Sequence, residues 1–159
     1  MTKCYSRKIL PPRGFSLRAL SLIAILFVCY KAGALEISTV AESFSDKNTN
    51  QLILDIESAL ARVQAKQGII PRWAADEITK KATTEYMSVD DVQTEYKIVR
   101  HRLVARLNVW KRSLDQGAEE YLHFGATTVD ILDTVLVLQL KKSVDILVRD
   151  LLEIENKLL

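Results

Sequence analysis

The segment VLQLKKSVDILVRDLLEIENKL, residues 137–158, carries the most regular apolar pattern of the chain. Its apolar residues are separated alternately by three and four positions, which is the a/d spacing of a heptad repeat. A second apolar row lies beside the first, and a broadened apolar face is typical of a helix inside a larger bundle. The first row comprises Val137, Leu140, Val144, Leu147, Leu151, Ile154 and Leu158, and the second comprises Leu138, Val148, Leu152 and Leu159. We therefore predict a long helix that packs against other helices along this face.

The preceding residues also predict long helices, because the chain is poor in residues that form turns. After position 34 the only proline is Pro71 and the only glycines are Gly68, Gly117 and Gly125. Few breakers mean few turns, so the predicted fold class is all-α, a bundle of long helices. We expect one helix from a Ser45 cap to Gly68, a short helix from Pro71 to about Thr83, and one long helix from Ser88 to near Gly117.

Composition restricts the kinds of site that the chain can hold. Residues 1–34 contain six basic and no acidic residues, so the remainder carries 16 basic and 20 acidic ones, which does not favour nucleic-acid binding. Both cysteines, Cys4 and Cys29, lie in the first thirty residues, and the chain has only two histidines, His101 and His123. We expect no metal site and no cofactor.

Residues 1–34 resemble a secretory signal peptide. A basic start precedes the apolar run ALSLIAILFVCY, residues 19–30, and the small residues Ala32-Gly33-Ala34 follow. The run is too short for a comfortable bilayer span, so we expect membrane contact only through this segment if it stays uncleaved. The alternatives are a signal anchor and a mispredicted gene start. The protein is then secreted or exported if the segment is genuine, and cytoplasmic otherwise.

The stretch YLHFGATTVDILDT, residues 121–134, has a structural and a functional interpretation. In the structural one, Thr127 caps the next helix, Asp130 completes a capping box, and Gly125 lies in the loop. In the functional one, the unpaired N–H groups of the helix N-terminus and the two threonine hydroxyls bind an anion. His123 would then donate a hydrogen bond or supply positive charge.

The same stretch resembles the first signature region of the fumarase/aspartase (fumarate lyase) superfamily. The resemblance lies in the pattern H-x-G-x-T-T-x-D-x-x-D-T, and it is closest to the branch of adenylosuccinate lyase and 3-carboxy-cis,cis-muconate cycloisomerase. Two further segments agree with that branch, FSDKNTNQLILDIESALARVQAKQGIIP at residues 44–71 and VRHRLVARL at residues 99–107. The resemblance thus covers roughly residues 40–159.

The resemblance implies a helical homotetramer built around a central bundle, here through residues 137–158. It also implies substrate binding by Thr127, Thr128, His123 and His101. No catalytic residue is expected within this chain, because the regions that hold the family's general base and general acid are absent. Arg102 follows His101 where adenylosuccinate lyases usually have aspartate, which puts a purine-nucleotide substrate in doubt. For His101 a purely structural role on the helix stays open.

We accordingly divide the chain into the signal-peptide-like segment 1–34, an N-terminal helical domain 35–126, and the start of a central-bundle helix at 127–159, where we expect a truncated coding sequence. The expected function is that of a fragment of a lyase. It would contribute only substrate-binding residues to β-elimination with fumarate release, or to a related cycloisomerisation, on a small dicarboxylate, and would be inactive alone. The alternative is a non-enzymatic helical oligomerising protein or a decayed paralogue.

Overall fold

The structure, a computed structural model, describes residues 37–115 and 117–159, and within these ranges all regular elements are helical. The helices are α1 (Val40–Ser43), α2 (Asp46–Lys66), α3 (Arg72–Lys80), α4 (Val89–Val99), α5 (Arg102–Lys111) and α6 (Thr128–Leu158), with short 3-10 turns at Thr84–Tyr86 and Ala118–Tyr121. The predicted all-α class is confirmed. Among the described helices, none is long and apolar enough to cross a membrane. The signal-peptide-like segment, residues 1–34, lies outside the described residues.

Helix α2 is the element on which most of the others pack, including α3 and α6. The Ser45 hydroxyl accepts a hydrogen bond from the Asn48 amide at 3.2 Å, which satisfies one of the unpaired N–H groups of the first turn. At the other end Gly68 has φ of 71°, a conformation in which glycine carries no steric penalty. Both predicted ends of this helix are therefore confirmed.

The core lies between α2 and the helices that follow it. Trp110 of α5 is fully buried, and its indole N–H donates to the carbonyl of Lys81 at 2.9 Å. A buried indole needs such a partner, so this bond fixes α5 against the end of α3. The other large, fully buried apolar side chains are Ile53, Leu54, Ile78, Met87 and Leu103.

The prediction of one long helix from Ser88 to near Gly117 is wrong. The chain leaves the helical conformation at Arg100, which has a left-handed φ of 55°, and α4 and α5 fold back on each other. The fold-back brings the buried Glu95 carboxylate to the amide of Asn108 at 2.8 Å and to the guanidinium of Arg112. Apolar residues at steps of three and four continue across the break because both helices bury them, so periodicity alone does not reveal it.

Helix α6 packs on α2 with one face and leaves the opposite face uncovered. A row spaced mostly by four residues is buried, and its Gln139 amide donates to the Thr49 hydroxyl at 2.9 Å. The predicted heptad row points elsewhere: Leu140 is 49% exposed, Leu147 52% and Leu151 65%. The buried row comprises Ile131, Val135, Gln139, Ser143 and Ile146. Within the described part of the chain, nothing covers the face predicted for helix packing.

Candidate functional site

The candidate site is the loop between the second 3-10 turn and α6, together with the first turn of α6. Thr127 and Asp130 form the predicted capping box, and the Thr127 amide donates to Oδ2 of Asp130 at 2.9 Å. Thr128 is the first residue of α6 and is partly buried, whereas Thr127 is exposed. The Asp130 carboxylate is thereby committed to the cap, which is the structural role that the sequence indicates for it.

His123 adopts an unusual backbone conformation in this loop. Its φ is 62°, in the left-handed region, which costs a residue with a side chain roughly 1–2 kcal/mol. Gly125 has φ of 68°, so the loop contains two left-handed residues within three positions. A Cβ at Gly125 would lie 3.8 Å from Nε2 of Gln64, an ordinary contact. The backbone conformation, and not a lack of space, is thus the reason for glycine here.

The His123 ring is bonded to a carboxylate that belongs to the interior of the protein. Nδ1 of His123 lies 2.6 Å from Oε1 of Glu57, whose side chain is fully buried in α2. The hydrogen bond to Glu57 raises the pKa of His123 above its ordinary value of 6.5, and burial and Lys111 partly oppose this effect. The positive form of the imidazole is therefore favoured at this position.

Helix α2 holds the loop at a second point. The side-chain amide of Gln64 donates to the backbone carbonyl of Phe124 at 2.6 Å. Glu57 and Gln64 are seven residues apart, or two helical turns, so both lie on the same face of α2. The conformation of the loop is thus set by a rigid helix that is distant in sequence.

His101 occupies a different place from the one that the sequence predicts. It is not in the interior of a helix but is the N-cap of α5, where Nδ1 accepts a hydrogen bond from the Val104 amide at 3.2 Å. The side chain is exposed, and among the described residues no hydrogen bond joins it to the 123–128 loop. The capping bond by itself accounts for a nitrogen-bearing side chain at this position.

Helix α5 contacts the first turns of α2, away from His123. Nε of Arg106 donates to Oδ1 of Asn50 at 2.7 Å, and about 10 Å of helix separates Asn50 from Glu57 at 1.5 Å per residue. A cleft of about 240 Å³ lies beside Arg106, and its lining includes Arg102 but not His101. Of the four predicted binding residues, Thr127, Thr128 and His123 thus lie in the loop and first turn of α6, whereas His101 caps a different helix.

Sequence reasoning missed Glu57 and Gln64. Both are polar residues on a helix whose neighbouring positions, such as Ile56 and Ala61, are buried in the core. The available signal was a carboxylate and an amide placed seven residues apart on the same face. That signal is weak because an exposed helix face shows the same residues. Among the described residues, no three His, Cys, Asp or Glu side chains are grouped so that they could hold a metal ion.

The chain is similar to curated lyases. It is 36% identical over 137 residues to an adenylosuccinate lyase of Methanocaldococcus jannaschii, covering 86% of this chain and 29% of that protein. It is 34% identical over 129 residues to an N-acetyl-S-(2-succino)cysteine lyase of Dickeya dadantii, covering 81% of this chain and 28% of that protein. The chain thus spans less than a third of the length of these relatives. No protein-family model matches it.

Two solved structures share the helical arrangement. A fumarate lyase from Mesorhizobium sp. BNC1 superposes with a TM-score of 0.59 and 33% identity, covering 69% of this chain and 27% of that one. A β-carboxy-cis,cis-muconate cycloisomerase from Acinetobacter calcoaceticus sp. ADP1 gives a TM-score of 0.55 at 33% identity, covering 65% of this chain and 25% of that one. At these identities the likeness extends beyond the helical fold to the sequence.

Proposed function

Because this chain belongs to the fumarate lyase superfamily, we propose that it forms part of a lyase acting on a small dicarboxylate. The names of two relatives describe different substrates that share a succinyl group, one on a purine nucleotide and one on cysteine. The shared group defines the substrate class. The relatives differ in the rest of the substrate, and Arg102, at a position where adenylosuccinate lyases usually have aspartate, argues against a purine nucleotide.

The observation that carries the proposal is the arrangement of Thr127, Thr128 and His123 around the start of α6. The helix N-terminus presents N–H groups and a positive dipole end, which favour a carboxylate. The hydrogen bond to Glu57 raises the pKa of His123 and so favours a positive imidazole in the loop that leads into this helix. The negative charge of Asp130 disfavours a bound anion, but its carboxylate already accepts a hydrogen bond from the Thr127 amide. The balance of these groups favours binding of a carboxylate of the substrate.

The proposed reaction is β-elimination with release of fumarate, or the related cycloisomerisation. A base removes a proton beside a carboxylate, and fixed hydrogen-bond donors stabilise the negative charge that develops. In this scheme Thr127, Thr128, His123 and His101 bind substrate, while the base and the acid come from regions that this chain does not contain. Since His101 lies apart from the other three, it would serve a site completed by another copy.

We propose that such a site forms in a homo-oligomer, a tetramer by family resemblance, through residues 137–158. Residues 127–159 would then begin the central-bundle helix, and residues 35–126 would form the N-terminal helical domain. The uncovered apolar row of α6 supports this assignment, since contiguous exposed apolar residues mark surfaces of association. The alternative of a non-enzymatic helical protein is not favoured by the similarity to lyases.

The test compares Thr128→Val, which removes the hydroxyl but keeps the β-branched shape, with Thr128→Ser, which keeps the hydroxyl. Succinate, which cannot undergo the elimination, serves as the probe, and binding is measured by calorimetry and by shifts of the loop amides in NMR spectra. We expect Thr128→Val to weaken binding about tenfold or more, since a hydrogen bond to a charged group contributes roughly 1.5–3 kcal/mol. Thr128→Ser should bind nearly as the wild type does.

The same preparation of the 159-residue chain should release no fumarate from adenylosuccinate or from a succinylated cysteine in a spectrophotometric assay. Fumarate release that disappears in Thr128→Val would contradict the assignment of this chain to binding alone. Equal succinate binding by the two Thr128 variants would remove Thr128 from the proposed site.

A further inference from the structure

The carboxylate of Glu57 combines full burial with a single hydrogen-bond partner among the described residues. Its side chain is fully buried, and Oε1 is bonded to His123. Oε2 has no hydrogen-bond partner among the described residues. A buried carboxylate is costly unless it is paired and its oxygens are satisfied. Most buried polar atoms of native proteins are hydrogen-bonded, so a buried carboxylate with one unsatisfied oxygen calls for an explanation.

The geometry of the loop also favours a functional role for this pair. His123 has a left-handed backbone, and strain of this kind concentrates at ligand-binding sites. The adjacent carbonyl of Phe124 accepts a hydrogen bond from Gln64, so α2 holds both the His123 ring and the backbone that follows it. The His123 side chain is 20% exposed although its carboxylate partner is not, so the ring spans the boundary between the interior and the loop surface.

We propose that Glu57 is a positioning residue for substrate binding: it holds Nδ1 of His123 and so presents Nε2–H to a carboxylate of the substrate at the start of α6. The inference rests on the proposed function. A carboxylate on Nδ1 fixes both the ring orientation and the nitrogen that stays available, as it does for histidines that bind metals. Glu57 touches no substrate in this scheme; it acts only through His123.

The charged groups that face His123 come from three helices. Glu57 of α2 and Asp130 of α6 favour the imidazolium, and Lys111 of α5 disfavours it. Asp130 is bonded to the Thr127 amide, and among these groups Glu57 alone is hydrogen-bonded to the ring. Removing the charge of Glu57 should therefore lower the pKa of His123, while the cap of α6 remains.

The experiment follows the His123 ring by long-range ¹H–¹⁵N NMR spectra across a pH titration and measures succinate binding at each pH. In the wild type we expect a proton on Nδ1 in the neutral form, a titration midpoint above 6.5, and succinate binding that weakens as pH rises through that midpoint. In Glu57→Gln, the amide keeps a hydrogen-bonding shape without charge. The midpoint should fall, and binding at neutral pH should weaken about tenfold, which is the effect of losing one charge-assisted hydrogen bond.

Asp55→Asn is the matched control, because it removes a partly buried carboxylate from the same helix without touching His123. It should leave the His123 midpoint and the pH profile of binding unchanged. A purely structural role of Glu57 would lower the melting temperature of Glu57→Gln without moving the midpoint of the binding profile. That result overturns the inference, and so does a wild-type His123 that titrates at or below 6.5 or carries its neutral proton on Nε2.

The readouts separate this inference from the proposed function. If succinate fails to bind the wild type, the proposed function fails, whereas the ring titration still decides whether Glu57 sets the protonation of His123. If succinate binds through Thr128 but its pH profile is the same in Glu57→Gln, the proposed function stands and the positioning role is rejected. If Glu57→Gln does not fold, the tautomer of neutral His123 and its titration midpoint in the wild type decide whether Glu57 holds Nδ1.

Discussion

Glu57 and Asp55 are carboxylates two positions apart on α2, and their surroundings give them different roles. Glu57 is fully buried against His123, and its partner is 66 positions away in the sequence. Asp55 is partly buried and accepts a hydrogen bond from Gln51 one turn earlier. The sequence shows both as ordinary helix residues, because no local pattern indicates which carboxylate meets a distant ring. The role of each carboxylate therefore depends on neighbours that come together only in the folded chain.

The pKa of Asp55 predicts how stability depends on pH. Burial raises this pKa from 3.8 to about 6, while the Gln51 hydrogen bond and Arg62 partly oppose the shift. The folded form therefore holds the proton more tightly than the unfolded chain does. The resulting contribution to stability is present below pH 3.8 and is lost as pH rises through about 6.

Asp55→Asn should remove this dependence, because asparagine stays neutral and still accepts from Gln51. At about pH 7 the variant should be more stable than the wild type by roughly 1–2 kcal/mol, after allowance for partial exposure. Below pH 3.8 the advantage should vanish. Urea unfolding across this range measures the difference, with Asp145→Asn on the exposed part of α6 as the control that should show no such trend. An advantage independent of pH would reject the raised pKa.

The break between α4 and α5 shows that the end of a helix in this chain can lack any local signal in the sequence. Arg100 is neither glycine nor proline, so nothing in the local composition marks the end of a helix there. The fold-back instead depends on contacts made across the two helices, such as those of Glu95 with Asn108 and Arg112. His101 is placed at a helix N-terminus as a consequence, and its side chain caps α5.

Arg100→Gly should stabilise the protein, because glycine adopts the left-handed conformation without the penalty paid by a side chain. The Nε bond of Arg100 to the Lys97 carbonyl is exposed, and its loss should cost little. We expect a net gain of about 0.5–1 kcal/mol after the greater freedom of glycine in the unfolded chain is subtracted. Gln93→Gly, at an exposed position inside α4, should instead cost about 1 kcal/mol in the same denaturant titration. A loss of stability in Arg100→Gly would mean that the break is not present in solution.

At the scale of the whole molecule, the feature to explain is the uncovered apolar row of α6. Its members are about half exposed or more, while the buried row of the same helix packs on α1 and α2. A helix with apolar residues on more than one side is typical of the interior of a bundle. An uncovered row of this kind is the surface that the proposed homo-oligomer would bury.

Leu147→Glu should shift the chain towards the monomer in sedimentation experiments at micromolar concentration, since it places a charge in the middle of the row. The side chain is 52% exposed, so the folded monomer should tolerate the change. Lys142→Glu is the matched control, with a new carboxylate at an exposed position of the same helix outside the row. Equal sedimentation of the two variants and the wild type would show that this face does not mediate association.

The sequence by itself determined the helical class, both ends of α2, the cap of α6 and the membership of the fumarate lyase superfamily. These properties depend on local patterns: apolar spacing, capping residues, scarce glycine and a compact motif in one loop. The tertiary structure alone decided the break at Arg100, the capping role of His101 and the pairing of Glu57 with His123. Each of these depends on groups that are far apart in the chain or on packing between helices, and the free energy of such contacts is not encoded in any local pattern.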